Sequence, residues 1–99
     1  LNDAKLLEKA GVFSIVLECI KTSLAKKITQ ELKILTIGIG ASAHCDGQVL
    51  VTDDLIGLNQ LNVRFVKKYS NITKQINSAI IKFKKDVKAK KFPQKKHSY

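Results

Sequence analysis

The sequence predicts an α/β fold with a parallel sheet, and three observations carry that prediction. Segments with helical apolar spacing alternate with apolar runs of strand length, the order that βαβ units leave in a sequence. The run 12–17 (Val-Phe-Ser-Ile-Val-Leu) lacks period-two alternation, which is how a strand covered on both faces reads. A second run, 34–39, ends in the small-residue turn Gly40-Ala41-Ser42.

Each element follows from local chemistry. Asn2 or Asp3 is placed to cap a first helix with Leu6, Leu7 and Ala10 on one side. Gly11 follows, where a helix commonly ends in a left-handed residue. After the first strand, Thr22 or Ser23 is placed to cap a helix whose stripe is Leu24, Ala25, Ile28 and Leu32, with Lys26, Lys27, Gln30 and Glu31 outside it. A polar loop at 43–47 precedes a third β run, Val49-Leu50-Val51. Beyond a loop around 57–62, Phe65, Val66 and Tyr69 fit a short helix. Ile72, Ile76, Ile80, Phe83 and Val87 recur at i, i+4, i+8, i+11 and i+15, which predicts an amphipathic helix over 71–92. Pro93 stops it and leaves 93–99 as a loosely held tail. Three strands with about four helices neither close a barrel nor cover both faces of a sheet. Residues 1–99 therefore read either as a small open sheet or, the favoured reading, as part of something larger.

Composition removes several function classes. The 99 residues are 44% hydrophobic and 26% charged, and no apolar run reaches the ~18–20 residues of a membrane-spanning helix. Cys19 and Cys45 are too few for a disulfide-stapled scaffold. The first residues carry Asp3, Lys5, Glu8 and Lys9 in place of a signal-peptide core, so the expected compartment is the cytoplasm. The net charge of +10 is uneven: 1–63 hold six Lys against seven acids, and 64–99 hold twelve basic residues against Asp86. A basic tail is the electrostatic footprint of a module binding nucleic acid or anionic membrane, and 64–99 carry that alternative reading. Against it, seventeen of the eighteen cations are Lys and only Arg64 is the type suited to bidentate phosphate and base contacts. A solvated Lys-rich helix face is the simpler account, with no nucleic acid and no membrane as partner.

Among residues that carry chemistry, Glu18 stands out at the carboxyl end of the first strand. Ligands of parallel α/β folds bind at those ends. A carboxylate set among apolar side chains there has its charged form disfavoured, which suits a general base near neutral pH. The plainer role is a strand-end carboxylate paired with a lysine or capping the next helix. Gly38-Ile39-Gly40 lets backbone approach a ligand or pack tightly, but it is no dinucleotide fingerprint: position 43 is Ala, and no helix follows. His44-Cys45-Asp46 are adjacent and point in divergent directions, and Cys19 has no CxxC partner, so no zinc site is expected. With only His44 and His97, and no GxSxG, a Ser/His/Asp triad is not expected either.

Seven blocks, in order, resemble the ketopantoate hydroxymethyltransferase family. They are Ile15-Val16-Leu17-Glu18-Cys19-Ile20, Leu24-Ala25-Lys26-Lys27-Ile28-Thr29, Thr36-Ile37-Gly38-Ile39-Gly40-Ala41 and Cys45-Asp46-Gly47-Gln48-Val49-Leu50-Val51. Asp54-Leu55-Ile56-Gly57-Leu58, Arg64-Phe65-Val66-Lys67-Lys68-Tyr69 and the ending from Phe92 to Tyr99 continue the series. Each block is weak alone; seven in register across nearly the whole chain are specific.

The resemblance implies the C-terminal part, about the last three β/α units, of a (β/α)₈ TIM barrel of the phosphoenolpyruvate mutase-like group. It implies transfer of a hydroxymethyl group from 5,10-methylenetetrahydrofolate to 3-methyl-2-oxobutanoate, giving 2-dehydropantoate, with Mg²⁺ holding the keto acid as Lewis acid. Glu18 matches the family's proton acceptor at C3. Ile39, Val49 and Val51 match apolar positions around the substrate's branched end. The metal's ligands are expected from strands preceding residue 1, so the 99 residues alone are expected to be inactive and to expose apolar strand edges. Homo-oligomers are implied as well. Lys21 stands where the family usually has Pro, Ser42 where Gly is common, and Asp53 where His is frequent.

Overall fold

The computed structural model describes residues 1–99. Its element order is α1 (Asn2–Lys9), β1 (Ser14–Glu18), α2 (Thr22–Glu31), β2 (Leu35–Ile39), β3 (Gly47–Gln48), α3 (Thr52–Leu55), α4 (Ile72–Lys88) and a 3₁₀ turn at Lys95–His97. The strands form one parallel sheet in the order β1-β2-β3, so the α/β class and the parallel sheet are both present. In register, Ser14 pairs with Leu35, Val16 with Ile37 and Glu18 with Ile39, while Ile37 pairs with Gly47.

One face of the sheet is covered. Ile15 and Leu17 of β1 pack with Ala25, Ile28 and Leu32 of the α2 stripe, with Ala4 of α1 and with Cys45. Polar ties reinforce this layer. Glu8 of α1 accepts from the backbone N–H of Lys33 at 2.6 Å and of Ile34 at 3.2 Å, which pins the α2–β2 turn. Lys5 of α1 pairs with Glu31 of α2, and Lys27 approaches the same carboxylate at 3.8 Å.

The opposite face is open. Val16 is 62% exposed and Leu35 57%, so the expectation of a strand covered on both sides fails for β1 within this chain: helices lie on one side only. Eleven buried residues constitute the whole interior. The radius of gyration is 22.5 Å, against about 13 Å for a compact domain of this length. The elongation comes from α4, a 17-residue helix with no buried residue. Its apolar stripe forms as the periodicity predicts, yet Ile76, Ile80, Phe83 and Val87 all face solvent.

Several local expectations are corrected. Leu1, not Asn2 or Asp3, is the N-cap of α1, and no side chain caps it; Gly11 does take the left-handed conformation beyond its C-terminus, at φ +90°. Lys21 is the N-cap of α2, and the Thr22 hydroxyl instead donates to the Ala41 carbonyl at 3.1 Å, tying the β1–α2 turn to the β2–β3 loop. The third strand is Gly47–Gln48 and not 49–51, because the chain turns into the short helix α3 at Val51. Phe65, Val66 and Tyr69 form no helix: a turn closes by Val66 N–H to Val63 O at 3.0 Å. The last helix ends at Lys88, with Lys90 left-handed at φ +54°, before Pro93 is reached. Where the tail begins, Phe92 meets Phe83 edge-on at 5.6 Å and His97 at 5.3 Å.

Candidate active site

Strand alternation and register decide which predicted residues meet. Successive side chains of a strand point to opposite faces. Ile15 and Leu17 face the helices, so Val16 and Glu18 face the open side. Ile37 and Ile39, their register partners, share that side. Val49 N–H donates to Gly38 O at 3.0 Å, which extends the parallel ladder one residue past β3 and places Val49 beside Ile39. Glu18, Ile39 and Val49 therefore stand in a row across the carboxyl ends of the three strands, with about 10 Å from first to last at the usual strand spacing. Val51 is not part of the row: it is the exposed N-cap of α3, where the chain leaves the sheet.

Glu18 itself is exposed and has no hydrogen-bond or ion-pair partner. That removes the plainer expectation of a Lys-paired or capping glutamate. Within residues 1–99 the sheet face that carries it is open. Glu18 thus presents a carboxylate without a hydrogen-bond or ion-pair partner at a strand end, in one row with Ile39 and Val49.

The glycines beside this row serve packing. A Cβ on Gly38 would lie 2.9 Å from Gln48 Oε1 and 3.1 Å from Cys45 Sγ; one on Gly40, at φ +62°, would lie 2.7 Å from Phe65 Cβ and Cγ. Gln48 Nε2 donates to Ser42 O at 2.7 Å, so the loop holding Ser42 is tied down. Phe65 and Gln48 escaped the sequence reading. The small side of their contacts, Gly40 and Gly38, was the only available signal.

His44-Cys45-Asp46 diverge as expected. His44 is exposed, Cys45 enters the core, and Asp46 turns to Thr36. Thr36 is fully buried. Its N–H and hydroxyl donate to Asp46 Oδ2 at 2.8 and 3.0 Å, and its Oγ1 lies 2.8 Å from Thr29 Oγ1. No three His, Cys, Asp or Glu side chains are grouped to hold a metal ion. No helix is long and apolar enough to cross a membrane.

Two carboxylates are held below their usual range. For Asp46 the cause is the Thr36 backbone N–H, then the Thr36 hydroxyl; for Glu31 it is the hydrogen bond from Lys5. A carboxyl whose folded pKa is depressed adds stability above its unfolded pKa and loses it as pH falls through the folded value. Urea midpoints at pH 7, 5 and 3 check this in the protein at its natural length. Wild type should lose more between pH 5 and 3 than Asp46→Asn does; parallel losses would remove Asp46 from the acid response.

The family model described as ketopantoate hydroxymethyltransferase matches residues 1–95. The chain is similar to 3-methyl-2-oxobutanoate hydroxymethyltransferase of Pelagibacter ubique (strain HTCC1062), 74% identical over 99 residues that cover all of this chain and 38% of that protein. It is 52% identical to the protein of the same name from Francisella tularensis subsp. tularensis (strain FSC 198), over 100 residues covering 38% of it. The corresponding figure for Syntrophus aciditrophicus (strain SB) is 48% over 37% of that protein. This chain thus spans less than two-fifths of the length of the relatives it matches.

Proposed function

This chain belongs to the ketopantoate hydroxymethyltransferase family, and from that premise we propose that it is the C-terminal part, about three β/α units, of a (β/α)₈ barrel. The reaction proposed for the whole is transfer of a hydroxymethyl group from 5,10-methylenetetrahydrofolate to 3-methyl-2-oxobutanoate, forming 2-dehydropantoate. The observation that carries this reading is the match over residues 1–95 by a chain 38% as long as its relatives. The exposed apolar face of the sheet supports it, because in a barrel that face is the packed interior. Self-association follows from the same premise as a further part of the proposal.

Glu18 is the proposed general base. Its carboxylate takes the C3 proton of the keto acid, and the electron pair left behind forms the new bond to the one-carbon unit of the co-substrate. Both bonds from that carbon to the folate nitrogens break, the nitrogens leave protonated as tetrahydrofolate, and water supplies the hydroxyl oxygen of the product. Ile39 and Val49, which share the Glu18 row, are the proposed flank of the branched end; Val51, outside the row at the start of α3, is kept as a substrate-side residue on the family resemblance alone. General-base assistance of this kind contributes about 10²–10⁴-fold. The residues of this chain do not make a site for Mg²⁺: the carboxylate nearest the row is Glu18 alone, and no ligand cluster surrounds it. The chemistry assigned to these residues is accordingly proton transfer and substrate packing.

A chimera tests the reading. Residues 1–99 are grafted in place of the matching segment of the Pelagibacter ubique relative, which is 74% identical there. The chimera is expected to form 2-dehydropantoate from the two substrates, and the 99-residue chain alone to form none. A folded chimera without product, beside an active parent, would overturn the assignment.

A further inference from the structure

A groove separate from the Glu18 row opens beside the carboxyl ends of β1 and β2. Lys21, from the β1–α2 turn, and Arg64, from the loop preceding α4, line it together with Ser42, Gln48 and Phe65. No acid lines it, and Glu18, Ile39 and Val49 are absent from its walls. Neither Lys21 nor Arg64 has an ion-pair partner. Arg64 is the single arginine of the chain, and its planar guanidinium suits two-point contact with carboxylate or phosphate.

The walls are built rather than fortuitous. Thr22 Oγ1 donates to Ala41 O at 3.1 Å, joining the Lys21 side to the β2–β3 loop. Gln48 Nε2 donates to Ser42 O at 2.7 Å beneath that loop. The Arg64 side is anchored because Phe65 packs so closely on Gly40 that a Cβ there would overlap it, and Val66 N–H closes the turn on Val63 O. Two cations without an ion-pair partner in this chain thus line one cleft from separate elements.

The geometry points to this groove as a binding site for a multiply charged anion of carboxylate or phosphate type, held between Lys21 and Arg64. The inference stands on charge and packing alone, independently of the proposed reaction.

The test uses the protein at its natural length, labelled for NMR, titrated separately with inorganic phosphate and with citrate. Sodium chloride of matched ionic strength is the reference. Saturable shifts centred on residues 20–22, 41–42 and 64–65 are expected with at least one anion, and the better of the two identifies phosphate or carboxylate as the preferred chemistry. Lys21→Gln with Arg64→Gln should weaken that binding about five- to twentyfold, the scale of two partly exposed charge contacts. Lys26→Gln, on the exposed side of α2 and outside the groove, serves as a single-charge control and should leave it unaltered. Shifts that track sodium chloride, or equal weakening by Lys26→Gln, would overturn the inference. Activity is not the readout, so failure of the transferase assignment leaves the result interpretable.

Discussion

Glu18→Gln, in the protein at its natural length, is expected to slow exchange of the C3 proton of 3-methyl-2-oxobutanoate by about 10²–10⁴-fold. The urea midpoint should barely move, because an isosteric change at a side chain without a hydrogen-bond or ion-pair partner stays within about 0.5 kcal/mol. Exchange followed by NMR in deuterium oxide isolates proton removal from the later carbon–carbon step. Loss of product with near-normal exchange would assign Glu18 elsewhere in the reaction. Loss of both exchange and stability would make it a structural residue. Ile39→Ala should behave differently: it widens the space beside the carboxylate and acts on KM for the branched substrate before it acts on exchange.

The second large effect concerns Gly40. Alanine there adopts φ +62° and brings a Cβ against the Cβ and Cγ of Phe65, atoms too near the backbone to swing aside. A left-handed non-glycine residue costs about 1–2 kcal/mol, and the overlap should take the loss to about 2–4 kcal/mol. Gly11→Ala supplies the comparison, since Gly11 is also left-handed but an added Cβ meets nothing within 4 Å. Its loss should stop at the conformational part. Equal losses from the two substitutions would mean that Phe65 yields freely. A larger loss at Gly40 should be accompanied by weaker anion binding, because displacing Phe65 displaces the Arg64 turn.

The elements were legible because their causes are local. The apolar runs around Ile15 and Ile37, the stripe of Ala25, Ile28 and Leu32, and the period of Ile72, Ile76, Ile80, Phe83 and Val87 all depend on residues a few positions apart. Capping is less legible: residue type makes Thr22 or Ser23 a cap candidate, but the Thr22 hydroxyl donates to a carbonyl nineteen residues away. Phe65 and Tyr69 carried helical spacing too short to outweigh the packing of Phe65 on Gly40. The strand at 49–51 was displaced by two residues for a similar reason, as Gly47 fits against Ile37 and Val51 begins a helix.

By itself, then, the sequence determined the class of the fold, the helix stripes and the strand-end position of Glu18. These follow from periodicity and from chain direction in a parallel sheet. Tertiary structure alone decided that Glu18, Ile39 and Val49 share one open face, that Asp46 serves Thr36, and that Arg64 and Lys21 line the same groove. Register, loop closure and side-chain pairing join residues ten to more than forty positions apart. Their geometry is set by how one face of three strands packs on two helices, and no local pattern carries that information.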